Sequence, residues 1–452
     1  MRRASSTISV LIVAMSCGCS ATGDEQAEGD VEQTLRAIVG NSADFGESPV
    51  AGPVALGGMR VRSLAVDGSR VYVGGSFSFT SGGFTYRNLV AFDISPIATV
   101  SPTLVTGFRP QPNNTVWAIT PDLLTVFVGG EFTSIGGQPK GGLAALNKST
   151  GAADATFVAN VGGSLTCPTC TSGLPNGGDP GVHALALTPD ETLVLGGNFN
   201  NVGGIARNGL AQVSRTNGAL YTGFTGVGGG FVTSLRYLSQ LGGVFVGGTF
   251  TSIFGVARSF LAMTDIEGRV VMPQTFDTLG QPVIDLDAEA VSANGQVFAG
   301  VGGAGNSVFS FQAKNGSVGA GALRWRGPVV HGDVQTVHYY NGAVYFGFHD
   351  GMWADGAGGH PGDRFKLAAV NAATGTFLVD RAHNGGVCDV NHQTDCFAPL
   401  ADPTTGTVGF WGLWTIEHVV TSGATRLLVG GDVNQWNGVS NTRLFATFGP
   451  AM

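Results

Sequence analysis

One stretch recurs along the chain and limits what it can fold into. Val71-Tyr-Val-Gly-Gly-Ser-Phe77 returns as Val126-Phe-Val-Gly-Gly-Glu-Phe132, Val194-Leu-Gly-Gly-Asn-Phe199 and Val244-Phe-Val-Gly-Gly-Thr-Phe250. Reduced copies are Val297-Phe-Ala-Gly300, Val344-Tyr-Phe-Gly347 and Leu427-Leu-Val-Gly-Gly431. The first glycine of each copy stands at 74, 129, 196, 247, 300, 347 and 430, a mean spacing of about 59 residues. Units repeated in this way cannot bury their apolar faces alone and stack on one another. A length of 452 residues therefore does not imply several independent domains.

The first unit can be read in full. Residues 61–66 alternate in polarity, Asp67-Gly68-Ser69 is a turn signal, and residues 70–77 form a second strand. Ser81-Gly82-Gly83 turns again, residues 88–93 give a third strand, and residues 104–108 a fourth. Third strands recur at 142–146, 209–213, 260–263, 308–311 and 366–370. Each runs into a turn closed by glycine (Gly151, Gly218, Gly268, Gly316, Gly375), where a tight hairpin needs positive φ. First strands begin at 61, 116, 182, 232, 283, 334 and 413, which makes seven units. The 73 glycines and the 12% charged residues suit short strands and tight turns.

Four antiparallel strands per unit in radial repetition describe a β-propeller, all-β and seven-bladed, spanning residues 50–452. The seventh unit ends after its third strand, residues 442–448. The unused segment 50–56 is expected to supply the missing strand and close the ring, leaving no open sheet edge. The Gly-Gly pair marks a bulge or a close backbone approach, with the following Phe filling the space beside it. A phosphate-cradling role would need a following helix, and more Ser, Thr and Gly come instead.

The motif VYVGGxFTxxGG followed by LAAxDxxTG, as in residues 126–137 and 143–151, resembles the bacterial delta-60-type β-propeller repeats, a family of unknown function. It is also similar to fungal cortical-marker propellers and distantly to kelch repeats. The resemblance covers roughly residues 55–450, and units five and six depart from it. It implies the fold and almost nothing about activity.

The N-terminus reads as a targeting segment, residues 1–19. Arg2 and Arg3 precede a short apolar run, residues 8–15, too short to span a bilayer. Ala14-Met15-Ser16-Cys17-Gly18-Cys19 resembles a bacterial lipobox, with Cys17, or else Cys19, as the lipidated residue. An ordinary secretory signal is the alternative, and both readings place the protein outside the cytoplasm. Residues 20–49, polar and acidic, read as a flexible tether. The expected location is the outer membrane or cell surface, or the exterior for a secreted form. Two inserts, about 160–181 and 380–409, carry one close pair of cysteines each, Cys167 with Cys170 and Cys388 with Cys396. In an exported chain such pairs read as disulfides. A redox role for the CxxC and a zinc site with His383 and His392 are the alternatives. With a net charge of −8 and no basic run, the chain is not expected to bind nucleic acid.

Propeller sites gather at a mouth of the channel that the first strands line. The second residues of these strands are Arg62, Trp117, His183, Thr233, Ile284, Gln335 and Trp414. They do not repeat, whereas a purely structural position should, and Arg and aromatic residues are common anchors of recognition. The opposing reading turns this position into packing between blades. Unit six gathers His331, His338, His349, His360, His383 and His392 among Asp333, Asp350, Asp355 and Asp363. His331, Asp333, His349 and Asp350 are the candidates there for a divalent metal or acid–base chemistry. No HExxH or other metal spacing is present, and His338 reads as an ordinary first-strand residue.

The sequence points to a non-enzymatic binding module for an extracytoplasmic protein or polysaccharide, attached to the membrane by a lipid anchor and needing no cofactor. A metal-assisted hydrolase or lyase centred on unit six, and a purely structural surface protein, are the alternatives. Adjacent cysteines with a regular Trp in each blade, a sialidase-type box and a GxSxG elbow are all absent from the sequence.

Overall fold

The computed structural model describes residues 60–95, 102–166, 179–271, 276–289, 295–303, 306–313, 321–327, 333–348, 367–376, 412–421, 424–431 and 445–448. Outside these lie the signal-like segment, the tether and segment 50–56. The two lipidation candidates, Cys17 and Cys19, also lie outside the described residues, as do His331, His349 and Asp350. So do all four cysteines expected in disulfides, Cys167 and Cys170 in the first insert and Cys388 and Cys396 in the second. Among the described residues there is no α-helix, and seven principal antiparallel sheets succeed one another along the chain.

Sheet 1 is built from Arg60–Asp67, Arg70–Ser81, Phe84–Asp93 and Thr103–Leu104. Sheet 2 has Val116–Pro121, Thr125–Gly130 and Leu143–Asn147. Sheet 3 has Gly181–Leu187, Thr192–Asn198 and Leu210–Ser214, and sheet 4 Val232–Leu238, Gly243–Gly248 and Leu261–Asp265. Sheet 5 has Val283–Glu289, Gln296–Val301, Ser307–Gln312 and Leu323–Arg326. Sheet 6 has Val334–Tyr340, Ala343–Phe348 and Leu367–Asn371, and sheet 7 Leu413–Thr421, Ala424–Gly431 and Phe445–Phe448. All seven first strands fall where the repeat placed them. The hairpin glycines Gly151, Gly218, Gly268 and Gly375 take φ between 72° and 84°, as the turn requires.

Four strands per sheet is correct for sheets 1 and 5 only, among the described residues. In sheets 2, 3 and 4 the fourth strand shrinks to single antiparallel bridges, Leu146 with Ala153, Val213 with Leu220 and Thr264 with Val270. An aromatic residue lies just beyond each bridge. Phe157, Phe224 and Phe276 are buried there, as Phe108 is beyond the two-residue fourth strand of sheet 1. Burying such a ring is worth roughly 1.5–3 kcal/mol, more than one edge hydrogen bond contributes.

Each first strand packs against the next, and the seventh packs against the first. The contact is the same at every step. Val116 covers Gly74, Val182 covers Gly129, Val232 covers Gly196, Val283 covers Gly247 and Val334 covers Gly300. Leu413 covers Gly347, and Val61 of sheet 1 covers Gly430 of sheet 7. A methyl group on Gly74 would stand 2.6 Å from Val116 Cγ1, and one on Gly430 would stand 2.5 Å from Val61 Cγ1. No side chain fits there, which accounts for the first glycine. The apolar clusters obey the same logic, each lying between neighbouring sheets; one unites Val419 and Leu428 of sheet 7 with Val61, Val71 and Val73 of sheet 1.

The second glycine has a different cause. In all seven sheets the pairing of first and second strands slips by one residue near the start of the first strand. At Gly75, Gly130, Gly197, Gly248 and Gly431 a methyl group would strike the carbonyl oxygen of Arg60, Thr115, Gly181, Phe231 or Gly412, just before the slip. In sheets 5 and 6 the same slip carries Val301 and Phe348 at that position, so the glycine accompanies the bulge in five sheets without being required by it. Phe77, Phe132, Phe199 and Phe250 are buried beside it, as expected.

Candidate functional site

The residue left over at each slip is Arg62, Trp117, His183, Thr233, Ile284, Gln335 or Trp414. A bulge re-aims the side chain it carries. Here it frees one position per sheet from packing against the neighbouring sheet, and all seven side chains line a common cavity of about 190 Å³ between the first strands. The repeated Gly, Val and Phe positions pack sheet on sheet. The non-repeating position faces the cavity.

Arg62 holds this layer together. Its guanidinium carbon lies 4.0 Å from the Trp414 ring centroid and 4.8 Å from that of Trp117, between two indoles. Arg62 and Trp414 are half-buried, and cation–π pairs in such a setting are worth about 0.5–2 kcal/mol. Trp117 Nε1 donates to Glu131 Oε1 at 2.6 Å, and burial raises the Glu131 pKa against that bond. The His183 ring meets Trp117 edge-on with centroids 5.5 Å apart, and its Nε2 lies 2.9 Å from the Asp179 carbonyl oxygen. Burial lowers the His183 pKa to about 4, against the pull of the Asp179 and Val232 carbonyls, so the ring is neutral near pH 7. Thr233 Oγ1 donates to the Val283 carbonyl at 2.7 Å. Gln335 Nε2 reaches the Asp333 carbonyl at 3.3 Å, while its buried Oε1 has no hydrogen-bond partner among the described residues. Trp117, His183, Thr233, Ile284 and Gln335 are at most 9% exposed, so the layer closes over the cavity more than it projects from it.

Beyond the bulge the strands alternate, and the third residues also face the cavity, as do the fifth residues Thr120, Arg236, His338 and Glu417. The third residues include Ser63, Ser234, Asp285, Thr336 and Thr415. Asp285 accepts from Ser234 Oγ at 2.8 Å and from the Val337 amide at 3.0 Å, tying three sheets together. Burial raises its pKa in spite of these bonds.

The fifth residues divide the ring in two. Ala65, Thr120 and Ala186 are small and neutral, whereas Arg236, Asp287, His338 and Glu417 are ionisable. Arg236 donates through Nε at 2.8 Å and through Nη2 to Asp287 Oδ1. Asp287 Oδ2 accepts from the Tyr339 amide at 2.7 Å and lies 3.4 Å from His338 Nδ1. His338 Nε2 is 2.8 Å from His418 Nδ1, and Glu417 Oε2 is 4.0 Å from His338 Nδ1. Tyr340 lies against His418 with ring centroids 4.2 Å apart. Burial opposes every charge here, and the partners decide the outcome. Asp287 is held well below the carboxylate range by Arg236 and His338 in spite of its burial. His338 is held above its usual value by Asp287 and Glu417, although burial pulls the other way. Burial raises Glu417, and burial together with the His338 charge lowers His418 to about 4.

The structure thus brings together all seven second-residue candidates. Asp333 lies apart from them in its role: Oδ1 accepts from the Gly303 amide at 2.6 Å, joining the segment before sheet 6 to the loop between the second and third strands of sheet 5. His338, read from the sequence as an ordinary strand residue, stands at the centre of the ionisable set. Arg236, Asp285, Asp287, Glu417 and His418 were not singled out. The signal was present three residues beyond the bulge position, where Arg, Asp, His and Glu come after Ala, Thr and Ala.

Among known proteins, a family model described as a domain of unknown function (DUF5122) beta-propeller matches residues 125–157. No curated protein matches the chain. The WD40 beta-propeller domain of Doa1 is 11% identical, with 88% of this chain and 96% of that one covered and a TM-score of 0.44. The computationally designed Ika8 protein is 12% identical over 89% and 99%, with a TM-score of 0.43. Chaetomium thermophilum Raptor is 8% identical over 93% of this chain and 30% of that one, with a TM-score of 0.48. At these scores the likeness carries no argument. What this chain is rests on its own strands and packing, and the matched segment is similar to a β-propeller of unknown function.

Proposed function

We propose that the chain is an extracytoplasmic binding module: a seven-bladed β-propeller whose ring segment 50–56 completes, held at the membrane by a lipid on Cys17 (or Cys19) and a tether, and engaging a protein or polysaccharide. One observation carries the binding reading. On a scaffold whose packing positions repeat, the bulge position is released from packing, lines a shared cavity, and carries Arg62, Trp117, His183, Gln335 and Trp414. Selection for packing alone would have repeated one residue there. An arginine between two indoles, in one cavity with the Gln335 carbonyl oxygen, suits a ligand with both a flat apolar face and hydrogen-bonding atoms. Sugar rings and peptide side chains both have that character.

The test is tryptophan fluorescence of the full-length chain titrated with oligosaccharide and peptide libraries. The expected result is a saturable ligand whose affinity falls at least about tenfold with Arg62→Ala or Trp414→Ala, the loss of one recognition anchor. Ligands that bind both variants unchanged overturn the assignment to this cavity. Anchoring is tested by radiolabelled palmitate, which Cys17→Ser or Cys19→Ser should abolish.

A further inference from the structure

We propose that His338, Glu417 and His418 form a binding site for one divalent transition-metal ion of the zinc type. The inference concerns the far end of the cavity and stands independently of the ligand proposed above.

Three features carry it. The first is convergence. His338 comes from sheet 6, Glu417 and His418 from sheet 7, and their donor atoms all lie within 4.8 Å of one another. Two imidazoles and a carboxylate are a nitrogen–oxygen donor set that suits zinc, cobalt or nickel. The second is the pairing of the two rings. His338 Nε2 and His418 Nδ1 face each other at 2.8 Å, so at least one proton must lie between two atoms that are both good ligands. Two nitrogens on one tetrahedral ion stand about 3.4 Å apart, so the rings need to part by only roughly half an ångström. The third is the surrounding shell. Asp287 lies 3.4 Å from His338 Nδ1, on the side of the ring away from His418. A carboxylate there receives the Nδ1 proton and leaves the Nε2 lone pair for a metal, the usual support of a metal-binding histidine. Asp287 is itself fixed by Arg236 and by the Tyr339 amide, and Tyr340 covers the His418 ring.

Charge is compatible with a cation. Arg236 is neutralised by Asp287, which leaves Glu417 as the carboxylate for the ion. His338 and Glu417 both line the cavity, so three protein ligands leave a fourth coordination position for water or a ligand within it. The alternation of the strand explains how neighbours can both contribute. Glu417 faces the cavity, and His418 faces sheet 6, where His338 and Tyr340 meet it.

The test uses the full-length chain, stripped with chelator and titrated with Zn²⁺ by calorimetry and with Co²⁺ by visible ligand-field absorption. One equivalent should bind to the wild type. His418→Ala and Glu417→Gln should each abolish the cobalt absorption, while Asp287→Asn should weaken binding by about 10–100-fold through loss of the supporting carboxylate. Glu267→Gln, an exposed carboxylate in the turn after sheet 4 and away from the cavity, should bind as the wild type does. Far-UV circular dichroism of the metal-free variants verifies folding, and Glu417→Gln preserves shape should His418→Ala unfold. A folded wild type that takes up no Zn²⁺, or Zn²⁺ uptake unchanged in both folded ligand variants, overturns the proposal. The second result would place the metal among other histidines of the chain.

Discussion

His183 predicts a specific acid sensitivity. Its ring is buried in the bulge layer between Trp117 and Phe231, and its pKa falls from 6.5 to about 4. The unfolded chain binds a proton on this residue below about pH 6.5, and the folded chain resists until about pH 4. Folding stability is therefore fullest above pH 6.5, is lost as pH falls through the window, and levels off below pH 4. A difference of about 2.5 pKa units at 1.36 kcal/mol each gives roughly 3 kcal/mol over the whole window. Between pH 7 and pH 5 it gives about 2 kcal/mol. The assay is equilibrium urea unfolding of wild type and His183→Gln at half-unit steps across this range. Other groups titrate too, including His418, so the quantity to read is the difference between the two proteins. That difference should shift by about 2 kcal/mol in favour of the variant on going from pH 7 to pH 5. A constant difference between the two would refute the neutral, desolvated state assigned to His183.

Two further outcomes rest on the packing. Gly430→Ala places a methyl group 2.5 Å from Val61 Cγ1 at the contact between sheets 7 and 1, and should destabilise by about 1–3 kcal/mol in denaturant unfolding; Gly162→Ala, with nothing within 4 Å, should change stability by under about 0.5 kcal/mol. Arg236→Ala leaves the buried Asp287 without its main cation; with the arginine side chain 38% exposed, the loss should be about 1–3 kcal/mol near neutral pH, and the double variant Arg236→Ala, Asp287→Asn should recover part of it in the same assay.

The positions of the seven first strands, the hairpin glycines and the all-β class were legible in the sequence because they are local. Alternating polarity, glycine at positive φ and a Val-x-Val-Gly-Gly signature act within a few residues, and each repeat states them again. The meaning of each glycine was not local. Gly74 is explained by Val116 of the next sheet, and Gly430 by Val61 at the far end of the chain. The shortened fourth strands were also hidden, since the local pattern permits a ladder where the structure has single bridges.

The sequence by itself determined that the chain repeats a β unit and that one position per unit escapes the repetition. Period and exception are both written along the chain. Only the tertiary structure decided what the exceptions do together. Arg62 lies between Trp117 and Trp414, and His338 lies between Asp287 and His418, because neighbouring first strands bring together side chains about fifty to three hundred and fifty residues apart. Such encounters are fixed by how sheets stack and where their strands bulge, and no local pattern encodes them.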